Sequence, residues 1–253
     1  MMPTLTVRDL GYGYDEFGLS KRALRTAFAV AWPLYRLYFR VASEGSEHIP
    51  RNGAAIVVAN HSGVLPFDGM MLCMDVAHCA GRVVRPVADH FVAGLPLVSV
   101  ALQRIGAVGG AAGNVRALLE AGELPLIFPE GVPGIAKSKS EKYHLAAWRP
   151  GHAELALRAR VPVIPAAVIG AEEQIPFVSN SKLLGRFVGT PHVPLPLLPF
   201  PLPVKYRILY GEPLIFNGDA DDPKAVRSAA AQTRTAVEEL IARGLKQRRS
   251  VFL

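Results

Sequence analysis

The sequence predicts an α/β protein: a mainly parallel or mixed central sheet flanked by helices, with an N-terminal amphipathic helical segment. Three features predict it. Short apolar runs rich in Val, Ile and Ala alternate with stretches of helical periodicity. Glycine, proline and asparagine punctuate the changes from one to the other. Two of the apolar runs end in polar turns, the place where α/β proteins keep their chemistry. With 253 residues the chain can build one large domain with a full core. We divide it into residues 1–45, the helical segment, and residues 46–253, the α/β domain.

The elements follow in order. From Ser20 to about Ala42 the chain reads as helix, with Ser20 as N-cap and a kink or split at Pro33. Lys21, Arg22, Arg25, Arg36 and Arg40 are interleaved there with Phe28, Val30, Trp32, Leu34, Tyr35, Tyr38 and Phe39. That is the composition of an interfacial membrane helix, and equally of a helix packed on the domain with its arginines in water. A connector, Glu44 to Gly53, leads to a buried strand, Ala54 to Ala59, and a helix from Asp68 to about Cys79. Arg82 to Ala88 is a second strand, Phe91 to Gln103 an apolar helical stretch broken at Pro96, and Ile105 to Val108 a short strand. Asn114 caps a helix from Val115 to Ala121, followed by a buried strand, Leu124 to Phe128. Gly151 to Arg160 is helical, Val163 to Ile169 is a strand, and Val204 to Tyr210 alternates like a strand nearer an edge. Asp222 and Pro223 open a C-terminal helix running to about Arg243.

Composition narrows the function. Half the residues are hydrophobic, only 19% are charged, and mean hydropathy is +0.24. Lys and Arg exceed Asp and Glu by seven, giving a pI near 9.6. Basic and apolar together favour an anionic membrane surface over nucleic acid, which needs no surplus of hydrophobic surface. Residues 1–18 are polar and carry Asp9, Asp15 and Glu16, so they do not read as a secretory signal. The long uncharged run from Phe187 to Val204 has six prolines and cannot be a spanning helix. Membrane contact is therefore expected to be peripheral, at the cytoplasmic face. Within that run, Pro191 to Pro203 is held extended by its prolines, as a connector over the domain or an apolar loop toward lipid. Cys73 and Cys79 suit neither a disulfide nor a zinc pair and read as reduced core residues.

Two turns stand out. The first, Asn60-His61-Ser62-Gly63-Val64-Leu65-Pro66-Phe67-Asp68, places an imidazole just after a strand with a carboxylate close behind it. An imidazole near neutral pKa, oriented by a carboxylate, can take a proton from an alcohol at physiological pH. The second, Phe128-Pro129-Glu130-Gly131-Val132-Pro133-Gly134, also follows a buried strand, so both can open on one edge of the sheet. Pro and Gly fix the glutamate, and the glycine lets the backbone approach a ligand. A polar basic loop with Lys137 and Lys139, ending at Arg149, lies behind it, either to neutralise a phosphate or simply as a solvated, mobile loop.

This ordered pair, His61 with Asp68 and then Phe-Pro-Glu-Gly, resembles the glycerolipid acyltransferase superfamily of lysophosphatidic acid and lysophospholipid acyltransferases. Val161-Pro162-Val163-Ile164-Pro165-Ala166-Ala167-Val168 is similar to that family's fourth block, and the resemblance runs from about Gly53 to Glu173. It implies direct acyl transfer from a thioester co-substrate, an acyl-CoA or acyl-ACP, to a lipid acceptor's hydroxyl. His61 would act as general base with Asp68 orienting it, and neither a bound cofactor nor a metal is implied. Phe128, Pro129, Glu130 and Gly131 would hold the acceptor, with Lys137, Lys139 and Arg149 as cations for its headgroup.

The chain departs from the family pattern in three places. The span between His61 and Asp68 holds six residues, Ser62 to Phe67, where the family usually has fewer. The second block's phosphate-binding arginine is missing from Ile105-Gly106-Ala107-Val108-Gly109-Gly110. Val132 and Pro133 replace the usual Thr-Arg after Glu-Gly. The acceptor can therefore be a neutral glycerolipid or a glycolipid instead. A serine hydrolase is disfavoured by the lack of a G-x-S-x-G elbow. Scattered His61, His78, His90, His144 and His152 show no metal-ligand spacing. A non-catalytic lipid-binding protein would leave the pairing of the two turns without a purpose.

Overall fold

A computed structural model of the chain describes residues 5, 7–62, 66–135, 137, 141–181, 183, 186, 193–198 and 200–252. Its elements are α1 (Lys21–Pro33), a π-helical turn (Leu34–Tyr38), β1 (Ala42–Glu44), β2 (Ile56–Ala59), α2 (Phe67–Ala80), β3 (Val84–Ala88), α3 (Pro96–Arg104), β4 (Val108–Gly109) and α4 (Ala112–Glu120). There follow β5 (Leu124–Ile127), α5 (Val132–Ile135), α6 (Gly151–Ala159), β6 (Val163–Ile169), β7 (Phe177–Ser181), β8 (Val193–Pro196), β9 (Arg207–Tyr210) and α7 (Pro223–Gln247). Seven strands form one sheet in the order β1-β9-β6-β2-β5-β3-β4. β6, β2, β5, β3 and β4 run parallel, whereas β9 pairs antiparallel with β6 and parallel with β1. The fold is a mixed α/β sheet flanked by helices, as the alternation of elements requires.

The central strands are buried on both faces because alternate side chains serve two helical layers. Val57, Ala59, Leu126, Ile164 and Ala166 join Met71 and Leu72 of α2 and Leu24 and Phe28 of α1 in one cluster. Ile56, Val58 and Val163 point the other way, onto Val115 and Leu119 of α4 and Ala156 of α6. α7 covers the same second face at Ala167, Ile169 and Leu209.

Ser20 caps α1 and Asp222 caps α7, each by accepting backbone N–H groups. Pro33 passes the chain into the π-helical turn rather than a separate helix. The expected boundary at residue 45 does not divide the packing. Leu24, Phe28, Ala31, Tyr35 and Phe39 lie in the same buried cluster as the central strands.

Val204 to Tyr210 was expected nearer an edge, and β9 is second from it, next to β1. Three elements differ from expectation. The edge strand β1 is only Ala-Ser-Glu, too short and too polar to signal itself. Asn114 is the third residue of α4 instead of its cap, because its side-chain amide donates to the Gly109 carbonyl. α7 runs past Gly244, which is a close-approach site and not a stop: a Cβ there would lie 2.2 Å from Ile169 Cδ1 and 2.9 Å from Leu209 Cδ1. Val193 to Pro196, in the proline-rich stretch, is extended as expected but also pairs with β7 in a separate two-stranded sheet. A two-stranded ladder has only edges, where proline is tolerated.

Candidate active site

β2 and β5 pair in parallel, Val57 opposite Leu126 and Val58 opposite Ile127. The turns after them therefore emerge together at the carboxyl edge of the sheet. Their neighbours β3 and β6 are parallel to them as well, so Asp89, Glu130, His61 and Glu172 all follow the ends of adjacent strands. This is where open α/β sheets present ligand-binding groups.

Asn60 ends β2 and sets the position of His61. Its buried amide donates to the Val168 carbonyl at 3.0 Å and accepts the Val168 N–H at 2.8 Å. The side chain thus extends the β2–β6 pairing one step beyond the strand. Asp68, the second residue of α2 and fully buried, sits where the helix dipole favours a carboxylate. Its Oδ2 lies 2.6 Å from His61 Nδ1 and accepts the Ser62 N–H at 2.8 Å, while Oδ1 accepts the Gly69 N–H at 2.7 Å. A carboxylate only accepts, so Nδ1 carries the proton and the Nε2 of the neutral ring keeps its lone pair. The longer span between His61 and Asp68 therefore does not keep the carboxylate from the imidazole. Residues 63–65 of that span lie outside the described residues. The Phe128 ring stacks on the imidazole, centroids 4.4 Å apart and planes 21° from parallel.

Burial of the His61 ring disfavours its charged form, but the charge and hydrogen bond of Asp68, with the Glu130 charge behind them, outweigh it. The imidazole pKa is raised above its ordinary value. Cys73, on the same helix, is pushed up to about 12 by burial and by Asp68, which keeps its thiol protonated and unreactive.

Glu130 is buried and both its oxygens are engaged by protein. Oε1 accepts the His61 N–H at 3.0 Å; Oε2 accepts the Ala146 N–H at 2.7 Å and pairs with Lys137 Nζ at 2.8 Å. Lys137 reaches on to Glu172 Oε1 and to the His61 carbonyl, each at 3.4 Å. Burial raises the Glu172 pKa, with Lys137 acting against it. The Glu172 carboxylate also accepts the Tyr143 N–H at 2.6 Å. Lys137 is thus enclosed between two carboxylates, whereas Arg149 is open to solvent, 3.8 Å from Asp89. The Pro129 carbonyl accepts the Arg149 N–H at 3.1 Å. Gly131, at φ +56°, turns the chain between them; a Cβ there would stand 3.8 Å from the Arg149 guanidinium carbon. Lys139 lies outside the described residues.

The sequence reading gave no role to two of the residues that build this site. Asn60 was legible only as part of a polar turn. Gly134 lies in α5, where a Cβ would meet Glu130 Cβ at 2.8 Å, His61 Cβ at 3.1 Å and the His61 carbonyl at 3.2 Å. It lets the second turn close against the first. Its place three residues after Gly131 carried no signal of that contact.

Taken together, a buried carboxylate, an oriented imidazole and a clamp from the next strand meet at the carboxyl edge of the sheet. The family model described as Acyltransferase matches residues 40–169, from just before β1 to the end of β6. An uncharacterized protein of Mycobacterium tuberculosis is 39% identical over 260 residues, spanning 95% of this chain and 72% of that one. The human protein named DGAT1/2-independent enzyme synthesizing storage lipids is 30% identical over 236 residues, 91% of this chain and 68% of that one. In fold, the 1-acyl-sn-glycerophosphate (LPA) acyltransferase PlsC of Thermotoga maritima is similar at TM-score 0.57 and 21% identity, over 90% of this chain and 81% of that one. The chain belongs to the Acyltransferase family, within the glycerolipid acyltransferase superfamily that its motifs resemble. It is an acyltransferase.

Proposed function

We propose that this acyltransferase moves a fatty acyl group from a thioester donor, an acyl-CoA or acyl-ACP, to a hydroxyl of a lysophospholipid or related glycerolipid. The observation that carries the reading is the 2.6 Å contact of Asp68 with His61 Nδ1, which leaves Nε2 facing no hydrogen-bond partner among the described residues. Nε2 takes the hydroxyl proton as the oxygen attacks the thioester carbonyl. The new C–O bond forms, the C–S bond breaks, and the departing thiolate takes the proton from His61. No acyl-enzyme is required. Glu130 acts on His61 through its backbone, as a positioning residue. Phe128 holds the plane of the ring.

One observation favours a neutral glycerolipid as acceptor over a phosphate-bearing one. Lys137 is enclosed by Glu130 and Glu172, so its charge is already compensated. Arg149 is the exposed cation beside Gly131, and the family's own phosphate-binding arginine is missing from Ile105 to Gly110. The name of the human relative points the same way, since storage lipids are neutral esters. We read the protein as peripheral to an anionic membrane at the cytoplasmic face. Its excess of seven basic residues supports this, as do exposed Leu97, Val98 and Val100 on α3 and exposed Leu197, Leu198 and Phe200. Among the described residues no helix is long and apolar enough to cross a membrane.

The direct test is acceptor-dependent thiol release by the wild-type protein. Long-chain acyl-CoA and acyl-ACP are each offered with lysophosphatidic acid, lysophosphatidylcholine, monoacylglycerol, diacylglycerol and a glycolipid. Release with monoacylglycerol or diacylglycerol exceeding that with lysophosphatidic acid supports the neutral acceptor; the reverse order returns the role to Arg149 and a phosphate. Release without any acceptor would make it a thioesterase and refute transfer.

A further inference from the structure

The contact between α1 and α2 is not closed along its whole length. Phe28 and Trp32 of α1 face Met74, Ala77 and His78 of α2, and Leu5 and Val7 close a third side around a cavity of about 170 Å³. Protein interiors leave few voids larger than a water molecule. An engineered apolar cavity of roughly 150 Å³ stays dry and takes up benzene, so this one is large enough for a stretch of hydrocarbon. Lys21 and Arg25, both exposed, complete its lining.

The same two residues line a second, wider hollow of about 550 Å³, together with Arg22, Tyr12, Tyr14 and Thr26. Its charges are Lys21, Arg22 and Arg25 against one carboxylate, Asp9. Asp9 is turned onto the Gly11 and Gly13 N–H groups at 2.8 and 2.9 Å. Among the described residues none of the three cations has an ion-pair partner. The N-terminus of the 13-residue helix α1 opens on this hollow, and its dipole adds to the attraction for an anion. A mainly apolar pocket that shares two cations with a neighbouring basic hollow matches the polarity of an amphiphile.

We infer that this groove binds a single-chain anionic lipid, of which a long-chain fatty-acid anion is the simplest. The chain end enters between Phe28, Trp32 and Met74, and the carboxylate lies among Lys21, Arg22 and Arg25. A chamber this small admits one chain, which separates the occupant from a two-chain bilayer phospholipid. The site is built on the half of α2 away from Asp68, so occupancy does not depend on the acyl-transfer reading.

Trp32 makes the site observable, because the chain has only two tryptophans, Trp32 and Trp148. A Trp148→Phe protein leaves Trp32 as the sole emitter, and a bromine-labelled stearate quenches it on contact. Saturable quenching is expected, weakened about tenfold or more in Lys21→Glu/Arg25→Glu and with the uncharged methyl ester of the same acid. Both replaced residues are exposed, so the core should survive; circular dichroism checks this, and the neutral Lys21→Gln/Arg25→Gln pair gives an independent measure. Absence of saturable quenching would overturn the site. Equal quenching by acid and ester, unaffected by either pair of substitutions, would overturn the anionic part of the inference.

Discussion

The Glu130 carboxylate accepts the backbone N–H of His61 at 3.0 Å, across a separation of 69 residues. This bond ties the turn after β5 to the turn after β2, and it gives the glutamate of the Phe-Pro-Glu-Gly motif a defined mechanical task. The same carboxylate is paired with Lys137, so its charge is held while its geometry is used. Glu130→Gln retains an oxygen for the His61 N–H but loses the ion pair, whereas Glu130→Ala loses both. We expect kcat to fall about tenfold in the first and about a hundredfold in the second, with a smaller change in KM. Equal loss in both variants, carried by KM, would instead place Glu130 on the acceptor.

Gly134→Ala tests the closeness of the two turns. The added methyl would lie 2.8 Å from Glu130 Cβ and 3.1 Å from His61 Cβ, and neither atom is the end of a flexible chain. His61 must shift by some tenths of an ångström, and a fall in kcat of about ten- to a hundredfold is expected with the fold retained. Steady-state kinetics beside a thermal melt separates this from simple unfolding.

The raised pKa of His61 sets the pH profile. A general base must be neutral, so kcat/KM should rise with pH along a limb centred above the ordinary histidine value of about 6.5. Asp68→Asn removes the charge that holds the pKa up, and the limb should move to lower pH while the plateau falls. A limb that stays in place in Asp68→Asn would mean that another group titrates. The linked stability has the opposite direction. The raised pKa contributes stability that is fully present below the unfolded-state value and lost as pH rises through the folded one.

Asn60 offers a stability test. Replacing it with Ala leaves both the N–H and the carbonyl of Val168 buried without their present partners. The expected cost is about 3 kcal/mol in urea denaturation, at unchanged m-value. A cost under about 1 kcal/mol would show that water reaches Val168 and that the amide is not fixing β2.

The elements that build the site were the most legible part of the sequence. β2, β5 and β6 are continuous apolar runs because they are buried on both faces, and burial is what periodicity reports. His61 and Asp68 were legible because both lie on one short turn. The elements that were missed depend on partners remote in sequence. β1 is three residues paired with β9, and β7 and β8 pair with each other. Likewise Gly134 and Gly244 are required by side chains of other elements, and no local pattern reports such a contact. The sequence does not report that Lys137 is enclosed, because the carboxylates around it, Glu130 and Glu172, follow two different strands.

The measurement that tests the central claim most directly is acceptor-dependent thiol release by His61→Ala beside the wild type, at equal acyl-CoA and acceptor concentration. The general-base account predicts a loss of about a hundred- to ten-thousandfold in kcat with donor binding retained. Activity within a few-fold of wild type would contradict it and remove His61 from the chemistry.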